Sequence, residues 1–245
     1  MPEPTGFSGE QLARLYQERF TPEELAFKEG MWKIFCEEFF QQYVELTDTV
    51  VDLGAGTCEF INAIQCADKI AVDLNPDVER AVRNGKAVIA SSSSMPQIPS
   101  GSVDVVFTSN FFEHLPNKAE LVATLHECHR ILRPDGRLIV VMPNIRYLPG
   151  RYWDYFDHHL ALTHYSLVEA MTLADFRPEI VIPRFLPYTI KHSRTPRSLA
   201  LVRLYMRFPL AWRVMGKQMF VVGRRVESDD TARHAPAAQA RSFRT

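Results

Sequence analysis

The sequence predicts an α/β protein built on a doubly wound parallel sheet, and three observations predict it. Short apolar runs alternate with stretches of helical spacing from residue 49 onward, the rhythm of repeated βαβ units. The first run ends in Gly54-Ala55-Gly56 and leads straight into a helical pattern, a strand–tight turn–helix unit. The chain has 245 residues, 46% of them hydrophobic, 23% charged, with a formal net charge of -1, enough for one full core without a metal or disulfide staple.

Taken in order, residues 9 to 46 carry helical spacing in two pieces. The first runs through Leu12, Leu15, Tyr16 and Phe20; the second starts at Thr21-Pro22-Glu23-Glu24, where Thr21 caps, Pro22 fits the first turn and Glu24 completes a capping box. Thr49 to Leu53 is the first strand, and Phe60, Ile61 and Ile64 mark the helix behind the glycine turn. Lys69 to Leu74, Lys86 to Ala90 and Val103 to Thr108 are further strands, with a short helix over Pro76 to Asn84. Asn117 with Glu120 reads as a second capping box opening a helix to Leu132. Arg133-Pro134-Asp135-Gly136 stops that helix in a turn where Gly136 can take a positive φ, and Arg137 to Met142 is a fifth strand. An aromatic, histidine-rich loop follows, Arg146 to His164, then a helix from Ser166 to about Asp175 with Glu169 as capping partner. Ile180 to Ile190 and Gln218 to Arg224 read as strands, separated by a basic helical insert over Ser198 to Val214. The organisation expected is an N-terminal helical cap (1–46), one domain (47–225) with the insert at about 191–216, and a disordered tail (226–245).

Several classes are excluded or disfavoured. No apolar run reaches 18 residues, so no spanning helix is expected. Glu3, Glu10, Arg14, Glu18 and Arg19 stand where a secretory signal needs an apolar stretch, and four cysteines without a CxxC pair read as reduced thiols; a cytoplasmic protein is expected. The near-zero net charge hides a segregation: Arg184 to Arg225 carries ten Lys and Arg and no acid, which points to an anionic partner there.

In an open parallel sheet, ligands bind beyond the carboxyl ends of the strands. Gly54, Ala55 and Gly56 let a ligand approach the backbone, and Asp73, 19 residues after Gly54 at the end of the second strand, is placed to accept both hydroxyls of a ribose. Glu59 occupies the third position of a GxGxxG pattern, and Asp52 sits beside the turn; both oppose a diphosphate, so a nicotinamide dinucleotide is disfavoured.

With these residues on the page, the sequence resembles the class I S-adenosylmethionine-dependent methyltransferases over Thr49 to Arg225. The matching segments are VVDLGAGTCEFI (50–61), AVDLNPD (71–77), GSVDVVFTSNFFEHLPN (101–117) and LHECHRILRPDGRLIVVMPN (125–144). The resemblance implies a seven-stranded, mostly parallel sheet with an antiparallel last strand, and S-adenosyl-L-methionine as cofactor. It implies that Asp52, Gly54 and Gly56 flank the methionine portion, Asp73 holds the ribose, Leu74 covers the adenine and Asn110 lies near the sulfonium. The family commonly has an acid after the third strand, where this chain reads Ser91-Ser92-Ser93-Ser94; Ser91 and Ser92 are the expected substitutes.

Methyl transfer needs mainly alignment, with a general base when the acceptor is a hydroxyl or protonated amine. Two places offer one: Glu113-His114 in FFEHL, and Asp157-His158-His159 in the loop after the fifth strand, where a carboxylate can fix an imidazole tautomer. No metal is expected, because adjacent histidines rarely point at one ion. The expected acceptor is a small molecule or glycan, methylated at oxygen, with a role in cell-surface polysaccharide or lipid-linked sugar assembly. No NPPY-like pattern follows the fourth strand, and no nucleic-acid partner is expected. Arg203 and Arg207 stripe an otherwise apolar helix, which suggests peripheral contact with an anionic membrane at its inner face. The alternative is a non-catalytic binding module that keeps the fold as a scaffold for a membrane or protein partner.

Overall fold

The computed structural model describes residues 21–188 and 197–227, with the pieces expected over residues 9–20, 189–196 and 228–245 outside that range. Seven strands form one sheet: β1 (Thr49–Leu53), β2 (Asp68–Asp73), β3 (Lys86–Ile89), β4 (Val103–Ser109), β5 (Leu132–Pro143), β6 (Phe176–Ile182) and β7 (Gln218–Arg225). Their order is β3-β2-β1-β4-β5-β7-β6, with β7 antiparallel to both neighbours and the other pairings parallel. Strand order reverses between β1 and β4, so a crevice opens at their carboxyl ends.

Helices cover both faces. On one lie α4 (Lys118–Ile131) and α5 (His164–Leu173), whose Leu121, Leu125, Leu167 and Met171 pack on Val51, Val106, Leu138 and Val140. On the other lie α1 (Pro22–Glu38), α2 (Glu59–Ala63), α6 (Leu199–Met206) and α7 (Pro209–Met215), against Val50, Val105, Phe107, Ile139 and Phe220. A short helix, α3 (Val78–Ala81), links β2 to β3. Sheet residues buried on both faces explain why these strands read as continuous apolar runs rather than alternating ones. Trp32, Phe40, Phe60 and Phe107 form an aromatic cluster, with the Phe60 and Phe107 rings stacked 3.5 Å apart.

The capping box on α1 forms as read: Thr21 Oγ1 accepts from the Glu24 amide at 3.3 Å and Glu24 returns to the Thr21 amide at 3.1 Å. Four local expectations are corrected. Asn117 caps α4, but Glu120 turns away to accept from Ser93 Oγ at 2.6 Å, so the box is half closed. Helix α5 begins at His164 with Thr163 and Ser166 capping reciprocally, and Glu169 plays no part in the cap. Pairing of β5 begins at Leu132, making residues 133–136 an irregularity inside the strand, where Asp135 takes the positive φ of 62°. Gly136 serves another purpose there: a Cβ would lie 2.9 Å from the Arg133 carbonyl. The strand expected over Ile180 to Ile190 instead spans Phe176–Ile182.

The insert is two helices, because Pro209 cannot continue α6. Its ends are pinned by Gln218, whose side chain donates to the Pro187 carbonyl at 2.9 Å, and by Tyr205, whose hydroxyl donates to the Phe185 carbonyl at 2.5 Å. Helices α1 and α6 approach closely at Gly30, where a Cβ would lie 2.9 Å from Leu199 Cδ1. Their contact is bordered by ion pairs: Arg203 with Glu37 at 2.9 Å, Arg207 with Glu38 at 2.7 Å, and Arg197 beside α6 with Glu24 at 2.6 Å. The segregated basic charge of the sequence thus meets the acidic face of α1. No helix among the described residues is long and apolar enough to cross a membrane.

Candidate active site

The turn after β1 is a strained segment kept open for a ligand. Gly54 (φ 70°) and Gly56 (φ 52°) are both left-handed, a conformation costly to side-chain-bearing residues. A Cβ on Gly54 would run into Phe111 at 2.6 Å, whereas one on Gly56 would meet nothing within 4 Å, so Gly56 faces open space. Cys58 is also left-handed (φ 62°) and fully buried. Ala55 is buried, and its amide, like that of Gly54, donates to the Val72 carbonyl, which ties the turn to β2.

Asp73 completes that tie. Its carboxylate accepts from the Gly56 amide and the Asn75 amide, each at 2.8 Å, which aims it across the turn. Burial pushes its pKa up. Asp52 is 4% exposed and pushed up to about 8, first by burial, then by Glu59 and Asp73. Glu59, where a third glycine would stand in a dinucleotide site, is paired with Lys28 at 2.9 Å. Carboxyl groups rather than cations surround the glycine turn, a lining that offers a diphosphate no counter-charge and suits a ligand carrying positive charge.

Two hollows that share lining residues occupy the crevice. The smaller, about 90 Å³, is lined by Asp73, Leu74, Ala90, Ser91, Ser92 and Leu115, among others. The larger, about 790 Å³, runs from Asp52, Gly54 and Gly56 beneath α1 to α6 and α7. Gly54, Asn110 and His114 border both. Asn110 itself is held left-handed (φ 51°) at the end of β4. An adenosine group fits the smaller side on the chemistry of its walls, with apolar faces and the Asp73 carboxylate at its edge. The sulfonium end would then meet Asn110 at the junction.

The serines line the smaller hollow, with their hydroxyls already engaged. Ser92 Oγ is buried against Thr124 Oγ1 at 2.7 Å, and Ser91 Oγ is bonded to Ser93 Oγ at 3.0 Å. Glu120, on α4, lines the smaller hollow and supplies the carboxylate that the segment after β3 lacks. No separate sequence signal marks it, since Asn117 and Glu120 read there as a complete capping box.

The base candidates converge in part. His114, in the 3-10 turn Phe112–His114, directs Nδ1 to the Asp157 carbonyl at 3.0 Å and carboxylate at 3.4 Å. The His158 ring lies 5.1 Å from that of His114, and Tyr155 stacks on its other side. His159 takes another course: its amide anchors to the Glu113 carbonyl at 2.8 Å and it borders the smaller hollow. Glu113, the other member of the expected FFEHL pair, is 1% exposed and pushed up to about 8 by burial. Its Oε2 is buried without a hydrogen-bond partner.

Comparisons with known proteins agree with this architecture. Residues 51–140 match the family model described as a methyltransferase domain. A probable S-adenosylmethionine-dependent methyltransferase of Mycobacterium tuberculosis is 35% identical over 109 residues, 42% of this chain and 38% of that protein. The chain thus spans about two fifths of that relative's length. A demethylmenaquinone methyltransferase of Symbiobacterium thermophilum is 27% identical over 175 residues, 64% of this chain and 68% of that protein. The crystal structure of a SAM-dependent methyltransferase from Archaeoglobus fulgidus superposes with a TM-score of 0.60 at 18% identity, covering 87% of this chain and 99% of that one. The fold is that of the class I S-adenosylmethionine-dependent methyltransferases, and residues 51–140 match a methyltransferase domain.

Proposed function

We propose that the chain transfers a methyl group from S-adenosylmethionine to the oxygen of a small-molecule or glycan acceptor. The observation that carries this reading is the junction of the two hollows at Gly54, Asn110 and His114. A donor held by Asp73 on one side meets an acceptor in the larger chamber on the other. When bound, the cofactor supplies a methyl carbon already activated by its sulfonium. The chain aligns it, excludes water and, through His114 positioned by Asp157, takes the acceptor's proton.

The chamber's walls narrow the acceptor. Phe27, Met31, Trp32, Leu201, Leu204 and Phe208 offer area rather than hydrogen bonds, which favours a glycan presented on a lipid carrier over a bare sugar. Outside the chamber, Leu199, Leu210 and Val214 are exposed on α6 and α7, next to the exposed Leu204 and Phe208 of its wall. This apolar face supports peripheral contact with the inner membrane surface, through inserted side chains rather than through Arg203 and Arg207, which pair with Glu37 and Glu38.

Calorimetric titration with S-adenosylmethionine and S-adenosylhomocysteine tests the cofactor assignment. Micromolar binding is expected, with Asp73→Ala weakening it about 100-fold, since that change removes a charged acceptor and leaves the Gly56 and Asn75 amides unpaired. Absence of binding, or an unaffected variant, overturns the assignment and leaves the non-catalytic scaffold as the better account.

A further inference from the structure

We propose that Glu113, His114 and His158 bind a divalent transition-metal ion at the acceptor end of the site. One ligand atom from each lies within 4.8 Å of the others, a spacing that one ion can bridge. Two imidazoles and one carboxylate are the donor set of zinc, cobalt, manganese or ferrous iron rather than of magnesium or calcium, which prefer all-oxygen cages.

Three further observations fit a metal centre. The Glu113 carboxylate is 1% exposed, and its Oε2 is buried without a hydrogen-bond partner; a cation supplies the compensation that the protein does not. His114 turns Nδ1 toward the carbonyl and carboxylate of Asp157, at 3.0 and 3.4 Å, which fixes the orientation of its ring. A carboxylate behind a ligating imidazole is the usual way to fix the tautomer and raise basicity. The two loops are also locked together before any ion arrives, because the Glu113 carbonyl accepts from both the His159 amide (2.8 Å) and the Leu160 amide (3.1 Å). That register sends His158 inward to the cluster and His159 to the other hollow, so the adjacent pair never has to share an ion. The expectation of no metal rested on such sharing, and the fold removes the objection.

Three protein ligands leave coordination positions open, and all three residues line the larger chamber. Resting on the methyl-transfer reading above, this names the acceptor as a hydroxyl compound that binds the ion through oxygen. With the ion bound, its coordination replaces His114 as the base: it lowers the hydroxyl's pKa, the proton passes to water, and the oxygen attacks the methyl carbon. The carbon–sulfur bond then breaks with its electron pair going to sulfur, giving S-adenosylhomocysteine and the methyl ether.

The test titrates the metal-stripped full chain, without cofactor, with Co²⁺ and Zn²⁺ by calorimetry, and follows Co²⁺ by its visible absorption. One bound equivalent is expected, with a ligand-field spectrum showing nitrogen donors. His158→Ala and Glu113→Gln should each weaken binding about 100-fold, and Asp157→Asn about tenfold, while His159→Ala leaves it unchanged. Circular dichroism of each variant separates loss of the site from loss of the fold, and His158→Ala serves if Glu113→Gln does not fold. No ion binding, or binding indifferent to these variants, overturns the site. Methyl transfer that proceeds undiminished in excess EDTA overturns the role given to the ion. Because S-adenosylmethionine binding is titrated separately, failure of the metal site cannot be mistaken for failure of the cofactor reading.

Discussion

The glycine turn and the apolar chamber lie side by side, yet they are built in opposite ways. The turn draws Asp52, Gly54, Gly56 and Asp73 from a stretch of 22 residues, and its polar groups satisfy one another through backbone amides. The chamber joins α1, β4 and the α6–α7 insert, whose Glu24 and Arg197 contact across 173 residues. A local site of this kind is rigid and intolerant of change, because each atom has an assigned place. A site assembled from distant elements keeps space between them and can vary its lining without unfolding the sheet. One region defines the donor, and the other is free to define the acceptor.

The sharpest way to break this contrast is Gly54→Ala. The new methyl group faces a left-handed backbone penalty of about 1–2 kcal/mol and a ring 2.6 Å away, worth about 1–3 kcal/mol more if Phe111 must move. Thermal unfolding should report a loss of about 2–5 kcal/mol together with lost cofactor binding. A variant that retains full stability would show the turn to be less tightly fixed than its contacts imply.

Asp52 probes the same region through pH. Its folded pKa of about 8 lies above the ordinary carboxylate value, so between about pH 4 and pH 8 the folded chain keeps a proton that the unfolded chain releases. Stability from this group is therefore full below about pH 4 and falls as pH rises through about 8, by an amount on the order of a few kcal/mol. Asp52→Asn should flatten that slope. Cofactor affinity should rise with pH over the same window in the parent and lose that rise in the variant, since the ionised carboxylate favours a cationic ligand. Equal slopes in parent and variant would assign the charge chemistry of the turn to Glu59 or Asp73 instead.

The chamber side predicts a different pattern. Leu204→Glu, at a side chain 61% exposed, should leave unfolding and cofactor titration unchanged. It should weaken partition onto neutral phosphatidylcholine vesicles about tenfold, the value of one apolar side chain removed from water. Unchanged partition would separate the insert from any membrane role.

Legibility followed the same division. Strands β1 to β5, the glycine turn and Asp73 were readable because their signals are local: apolar runs, positive-φ residues and a fixed spacing. Glu113 was legible only as half of a candidate pair with His114, while its burial, invisible in one dimension, is what makes the carboxylate consequential. Glu120 was read as a cap because Asn117 lies three residues before it; the competing partner, Ser93, is 27 residues away. The chamber left no motif at all, since its walls meet only when α6 docks on α1.

The smallest expected effect is the most instructive about charge. In the sequence, Arg203 and Arg207 sit in a basic block and suggest an anionic surface; in the fold, Arg207 holds Glu38 with two contacts of 2.7 and 2.8 Å, and Arg203 reaches both Glu37 and Glu38. Exposed pairs of this kind add little to stability, because solvent screens them and two long side chains must be ordered. Arg207→Ala should therefore leave the unfolding midpoint nearly unchanged. It should also leave the ratio of binding to anionic and neutral vesicles unchanged, because the neutralised stripe contributes no net attraction to phospholipid headgroups. Glu38→Ala is the complementary change: it releases both arginines from one carboxylate, and the ratio should shift toward anionic vesicles and become salt-sensitive. If Arg207→Ala alone abolishes a preference for anionic vesicles, the ion pair gives way at the membrane, and the basic block acts as its sequence first suggested.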